Sequence, residues 1–101
     1  PTTVSRAAGI NLTKSLANEY AGDGIRVNTV CIGLLKSEQW VRRAGNKDPE
    51  GLYKELSQQV PLGRVGEAKE YGDLVAFLVS DRASYITGVA VNIDGGLASV
   101  V

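Results

Sequence analysis

The sequence predicts an α/β chain that contributes two parallel strands, with their helices, to a larger sheet. Three observations point there. A long opening segment carries apolar residues at helical spacing. Two short runs near residues 25–32 and 89–93 have strand character, the first followed by Gly33 and the second by Asp94-Gly95-Gly96. The stretch between those runs is mostly helical in pattern, and strands joined by such a crossover lie parallel with a right-handed connection. At 101 residues, 44% hydrophobic and 22% charged, the chain amounts to about one small domain or part of one. Two strands alone make a poor sheet, so the expected setting is the C-terminal part of a larger one.

The elements follow in order. Residues 3–21 read as a helix: Val4, Ala8, Leu12, Leu16 and Tyr20 recur every four residues, widened by Ala7, Ile10 and Ala17. Ala7-Ala8-Gly9 offers a small-residue surface on it, and Gly22-Asp23-Gly24 stops it through a left-handed cap. Residues 25–32 (IRVNTVCI) are nearly continuously apolar at Val30-Cys31-Ile32, which suits a strand covered on both faces. Gly33 ends that strand. Ser37 reads as the cap of a short helix through Glu38, Trp40 and Val41 towards Ala44, with a turn at Gly45-Asn46-Lys47. Asp48-Pro49-Glu50 is a helix start, and Leu52, Tyr53, Leu56 and Val60 supply the apolar face behind it. Pro61 breaks that segment. A further helix spans about Glu67 to Ser80, with Tyr71, Leu74, Val75, Phe77 and Leu78 at helical spacing. The last strand is Val89 to Ile93, in which Val89, Val91 and Ile93 alternate with Ala90 and Asn92, and Asp94-Gly95-Gly96 closes it.

Composition excludes several function classes. Eleven Lys+Arg balance eleven Asp+Glu, so no basic footprint for nucleic acid or an anionic membrane exists. No apolar run reaches the ~20 residues that span a bilayer. The chain lacks histidine and has one cysteine, Cys31, which leaves no zinc site of the usual ligand types and no internal disulfide. Cys31 reads as inert core in an apolar strand, and a reducing, cytoplasmic setting is the expectation. A start at Pro1 with no methionine anywhere points to a segment of a longer protein.

Four ordered stretches resemble the C-terminal half of the short-chain dehydrogenase/reductase family. Ser5-Arg6-Ala7-Ala8 with Leu12-Thr13-Lys14-Ser15-Leu16-Ala17 is similar to its active-site helix, and Gly24-Ile25-Arg26-Val27-Asn28-Thr29-Val30 to the strand after it. Pro61-Leu62-Gly63-Arg64 with Gly66 resembles the segment before its last long helix. Ser84-Tyr85-Ile86-Thr87-Gly88 through Asp94-Gly95-Gly96 resembles its final strand. The resemblance covers nearly the whole chain. It implies a Rossmann-type, doubly wound parallel sheet, of which residues 1–101 are the C-terminal segment, and NAD or NADP as cofactor. It further implies a small-molecule carbonyl or alcohol substrate and a homo-oligomer. The family's Gly-rich phosphate turn and catalytic serine belong to chain upstream of these residues.

The family's active helix opens with Tyr-x-x-x-Lys, one turn apart on one helix face. There the ammonium favours the phenolate, and the tyrosine exchanges a proton with the substrate oxygen. Here those positions fall on Thr2 and Arg6. An aliphatic hydroxyl does not ionise as a tuned phenol does. Arg6 keeps a positive charge able to reach a cofactor ribose, with a different geometry from lysine. The other tyrosines, Tyr20, Tyr53, Tyr71 and Tyr85, are assigned to packing. After the first strand the family has Pro-Gly where this chain has Ile32-Gly33. Gly33 allows close backbone approach where open α/β sheets bind ligands. By resemblance the backbone of Leu35 meets the nicotinamide carboxamide, and Ser37 stands in for a helping threonine, or simply caps a helix. Arg6, Ile32, Gly33, Leu35 and Ser37 are therefore the expected cofactor contacts.

The segment Glu38–Val60 corresponds to the family's substrate-covering region. Trp40, Val41, Leu52, Tyr53 and Leu56 are candidates to line an apolar pocket there. Arg42-Arg43 reads as a solvated pair, or as an anchor for an acidic substrate group, and Asp94 as a turn residue rather than a catalytic carboxylate. Two functions stay open: an NAD(P)-dependent oxidoreductase with a modified relay, and a redox-inactive dinucleotide-binding or structural subunit on the same fold.

Overall fold

The computed structural model describes residues 2–37, 42, 45 and 49–98, with side chains from Arg6 onward. In chain order it has α1 (Thr2–Tyr20), a 3-10 turn (Ala21–Asp23), β1 (Thr29–Ile32), α2 (Pro49–Ser57), α3 (Ala68–Leu78), a second 3-10 turn (Asp81–Ala83) and β2 (Ala90–Ile93). β1 and β2 are hydrogen-bonded neighbours. Thr29 N–H donates to Val89 O at 2.9 Å and Gly33 N–H to Ile93 O at 3.1 Å, the same offset at both ends, as a parallel pair requires. The chain divides into two compact units, residues 1–31 with 74–91 and residues 32–73 with 92–101.

In the first unit α1 stops where the glycines predict. Gly24 adopts φ +75°, its N–H donates to Ala21 O, and Ile25 N–H donates to Tyr20 O, the paired bonds of a Schellman cap. The buried face of α1 agrees with the expected one at Ala17 and departs from it elsewhere. Leu12 is 59% exposed and Ala8 and Tyr20 are exposed, whereas Thr13 and Ala17 are buried. The reason lies in what the helix packs against. Thr13 Oγ1 donates to Gly9 O at 2.8 Å and shares a hydrogen bond with the Thr29 hydroxyl of β1, and Ala17 faces Gly88. A hydroxyl pair and two small residues, Ala17 of the predicted set among them, thus seat the helix, while Leu12 stays outside and Leu16 is half-buried.

β1 also begins later than the apolar run. Residues 25–28 are held to the 78–89 segment mainly by side chains, with one backbone bond, Gly88 N–H donating to Val27 O at 2.7 Å. Asn28 Nδ2 donates to Ile86 O at 3.1 Å, and its Oδ1 accepts from Val89 N–H at 3.2 Å. One amide thereby stands in for a peptide of the sheet. Thr87 Oγ1 accepts from Val27 N–H, and Arg26 Nη1 donates to Leu78 O at 2.7 Å, a cation on the last carbonyls of α3. Cys31 is free and half-buried. Residues of β2 are all half-buried, without the alternation its sequence suggests.

In the second unit α2 starts at Pro49 with Glu50 in its first turn, as predicted; Asp48 lies outside the described residues. Tyr53, Val60 and Val65 form its buried core. The stretches Pro61-Leu62-Gly63 and Asp94-Gly95-Gly96 prove to be one structure. Leu62 N–H donates to Gly95 O at 3.1 Å, and a Cβ on Gly95 would meet Val60 Cγ1 at 2.6 Å. Asp94 is the turn residue expected: its Oδ1 accepts from Gly96 N–H at 2.9 Å and its Oδ2 from Ala98 N–H at 3.0 Å.

Candidate active site at the carboxyl end of the first strand

Beyond Gly33 the chain runs extended and is gripped along one edge. Gly66 N–H donates to Leu34 O, and Lys36 N–H donates to Gly66 O, both at 2.9 Å, making a parallel bridge between Leu35 and Gly66. In such a bridge the flanking groups turn towards the partner, and the bridged residue's own N–H and C=O turn to the opposite edge. Among the described residues no hydrogen bond engages those two groups of Leu35. They form an adjacent donor and acceptor on rigid backbone, at the end of a parallel strand where ligands of open α/β sheets bind. A primary carboxamide is their chemical complement.

Two glycines set this segment by close approach. A Cβ on Gly33 would lie 2.6 Å from Asp94 Cβ and 3.0 Å from its Cα, and one on Gly66 would lie 2.6 Å from Leu35 Cδ2. Gly33 is thus needed by Asp94, a packing demand that stands beside the ligand approach expected of it. A cavity of about 550 Å³ opens beside the segment, lined by Leu34, Leu35, Leu62, Ile93, Arg64 and Glu70 among others. It is a different set from the pocket anticipated on Leu52, Tyr53 and Leu56, while Trp40 and Val41 lie outside the described residues. Arg64 donates to both oxygens of Glu70 at 2.7 and 2.8 Å, and Glu67 N–H, at the start of α3, adds a third bond at 2.9 Å. The Arg64 guanidinium, then that N–H, lowers the Glu70 carboxyl to about 2. The pair is spent on itself, which leaves the cavity walls mainly apolar. Lys36 pairs with Glu67 at 3.1 Å, which raises its ammonium above the usual lysine value.

Ser37 is exposed, and its helix-capping role falls on residues 38–41, 43 and 44, outside those described; Arg42 is helical and exposed, and Arg43 is not described. Tyr53, expected to pack or to line a pocket, has a polar role that its sequence position did not signal. Its hydroxyl accepts from Ser37 N–H at 3.1 Å and donates to Ser37 O at 3.0 Å. The packing assignment holds for Tyr53 alone: Tyr20 and Tyr71 are exposed, and Tyr85 is fully so. In the first unit, Thr2 and Arg6 stand one turn apart on α1; Arg6 is half-buried, and the Thr2 side chain lies outside the described residues.

Comparison with known proteins gives this geometry a setting. A family model described as enoyl-(acyl carrier protein) reductase matches residues 1–98. The chain belongs to the short-chain dehydrogenase/reductase family. The oxidoreductase UcpA of Salmonella typhimurium is 46% identical over 96 residues, covering 92% of this chain and 36% of that protein. An uncharacterized oxidoreductase of Thermotoga maritima is 40% identical over 99 residues, covering 97% and 39%. This family chain therefore spans a little over a third of the curated relatives it matches. Among solved structures, the NADPH-bound short chain oxidoreductase of Pseudomonas aeruginosa PAO1, which contains an atypical catalytic center, superposes with a TM-score of 0.84. The two are 38% identical, over 99% of this chain and 39% of that one. L-sorbose reductase from Gluconobacter frateurii, complexed with NADPH and L-sorbose, gives 0.86 at 30% identity, over 97% and 40%. The α/β class and the parallel pairing are those expected. No helix among the described residues is long and apolar enough to cross a membrane.

Proposed function

We propose that the protein carrying this chain is an NAD(P)-dependent oxidoreductase acting on a small carbonyl or alcohol, with the family's proton relay altered at Thr2 and Arg6. The observation that carries the reading is the outward donor–acceptor pair of Leu35, a fit for the nicotinamide carboxamide. The nicotinamide, when bound, supplies or accepts the hydride. The chain's own part is to orient that ring through Leu35, with Ile32, Gly33 and Ser37 around it, and to offer the Arg6 charge to the ribose. The apolar cavity beside Leu35 suits the carbon skeleton of a substrate and helps exclude water. Support for a modified relay comes from the P. aeruginosa short chain oxidoreductase, whose NADPH-bound structure contains an atypical catalytic center. The lone Cys31 suits a reducing, cytoplasmic setting. The exposed stripe of Ala8, Leu12 and Tyr20 on α1 is the surface we assign to homo-oligomer contacts.

Fluorescence titration of the full-length protein with NADH and NADPH tests this reading. It predicts saturable binding of at least one of them, and absence of binding to both would overturn it. The second reading, a redox-inactive dinucleotide-binding subunit, is favoured by the two departures at Thr2 and Arg6. It predicts the same binding with no turnover on any ketone, aldehyde or alcohol.

A further inference from the structure

We infer that Tyr53 is a positioning residue for the nicotinamide end of the cofactor, an inference that rests on the function proposed above. Ser37 presents its N–H and C=O to a single phenol, the two bonds a neighbouring strand would otherwise supply. Gly66 holds Leu34–Lys36 from one side, and the Tyr53 hydroxyl fixes the next residue, so Leu35 is pinned on both flanks. Tyr53 is itself well placed to act as a fixed post. It is 7% exposed, Lys36 Nζ sits 5.6 Å from its ring centroid, and its helix is tied down. Ser57 Oγ donates to Tyr53 O at 2.7 Å and accepts from Val65 N–H at 3.1 Å, which joins α2 to the Gly66 side of the bridge. A helix in the substrate-covering region therefore sets the aim of the cofactor-contacting backbone.

Removing the phenol oxygen takes two bonds from the Ser37 backbone and lets Leu35–Ser37 sample other conformers, which cofactor binding must then reverse. Two net hydrogen bonds, about fivefold each, set an upper bound of roughly 30-fold, and because the unbound protein loses them as well the expected loss of affinity is about tenfold. The test compares Tyr53→Phe with the parent in the full-length protein, measuring affinity for NADPH or NADH and for the matching ADP-ribose, which lacks the nicotinamide. The expected result is about tenfold weaker binding of the reduced cofactor and unchanged binding of the ADP-ribose. Hydrogen exchange on the unsubstituted protein supplies a second readout: the reduced cofactor protects residues 34–37, and the ADP-ribose does not. Equal losses for both ligands would mark Tyr53 as structural only, and no loss for either would remove it from the site. Either result overturns the inference. Failure of the parent protein to bind any of these ligands would instead sink the proposed function itself.

Discussion

Gly33→Ala is the substitution whose effect the structure specifies best. The new Cβ would lie 2.6 Å from Asp94 Cβ and 3.0 Å from Asp94 Cα, against ~3.5–4.0 Å for unstrained carbon contacts. Relief requires about 1 Å of movement by backbone that is tied at three points. Gly33 N–H holds Ile93 O, and the Asp94 carboxylate holds the N–H groups of Gly96 and Ala98. Overpacking against such a fixed neighbour costs about 1–3 kcal/mol. In a protein of the relatives' length that is a fall of roughly 2–12 °C in Tm. Gly72→Ala is the control: it lies within α3 with nothing within 4 Å of the new Cβ, and should raise stability by about 0.5–1 kcal/mol. Calorimetry on both variants decides the matter. A Gly33→Ala protein that melts like the parent, yet loses cofactor affinity, would refute the packing argument and restore ligand approach as the reason for the glycine.

Three further outcomes follow from the same geometry. Asn28→Ala should cost about 1–3 kcal/mol in chemical denaturation, because Val89 N–H and Ile86 O lose their shared partner; an unchanged midpoint would contradict the bridging role. Glu70 has a carboxyl lowered from 4.5 to about 2, so its contribution is complete above pH 4.5 and is lost as pH falls towards 2. The Tm difference between parent and Glu70→Gln should therefore be largest above pH 4.5 and close towards pH 2, and a gap that widens in acid would reverse the assignment. Residues 1–101 expressed alone should show no sharp two-state melt by circular dichroism, since the buried set among the described residues is small and Leu12, Leu62 and Val79 stand exposed.

Where local chemistry decides, the sequence was informative. Gly24 stops α1 because only a residue at ease with positive φ closes that cap, Pro49 opens α2, and Asp94 serves its turn. Where a distant partner decides, it was not. The apolar run from Ile25 predicts a strand that the Asn28 side chain pre-empts until Thr29. The apolar face predicted for α1 is buried at Ala17 but exposed at Ala8, Leu12 and Tyr20, because a Thr13–Thr29 hydroxyl pair and Ala17 against Gly88 carry the contact. Gly33 was legible as a close approach, but Asp94 as its neighbour was not. Tyr53 looked like any core aromatic, since no spacing links it to Ser37; only the fold brings the phenol to that backbone.

On the function proposed above, this chain keeps a cofactor-contacting backbone at Leu35 while its proton relay is replaced at Thr2 and Arg6. The most direct measurement is turnover on a panel of ketones and aldehydes, with NAD(P)H affinity determined alongside, for the full-length protein and its Thr2→Tyr, Arg6→Lys double variant. General acid–base assistance contributes roughly 10²–10⁴-fold, so the double variant should gain turnover within that range while its cofactor affinity stays within a few-fold. Rapid turnover by the parent protein, with no gain from the double change, would mean that the proton comes from another group and that the catalytic positions assigned here are wrong.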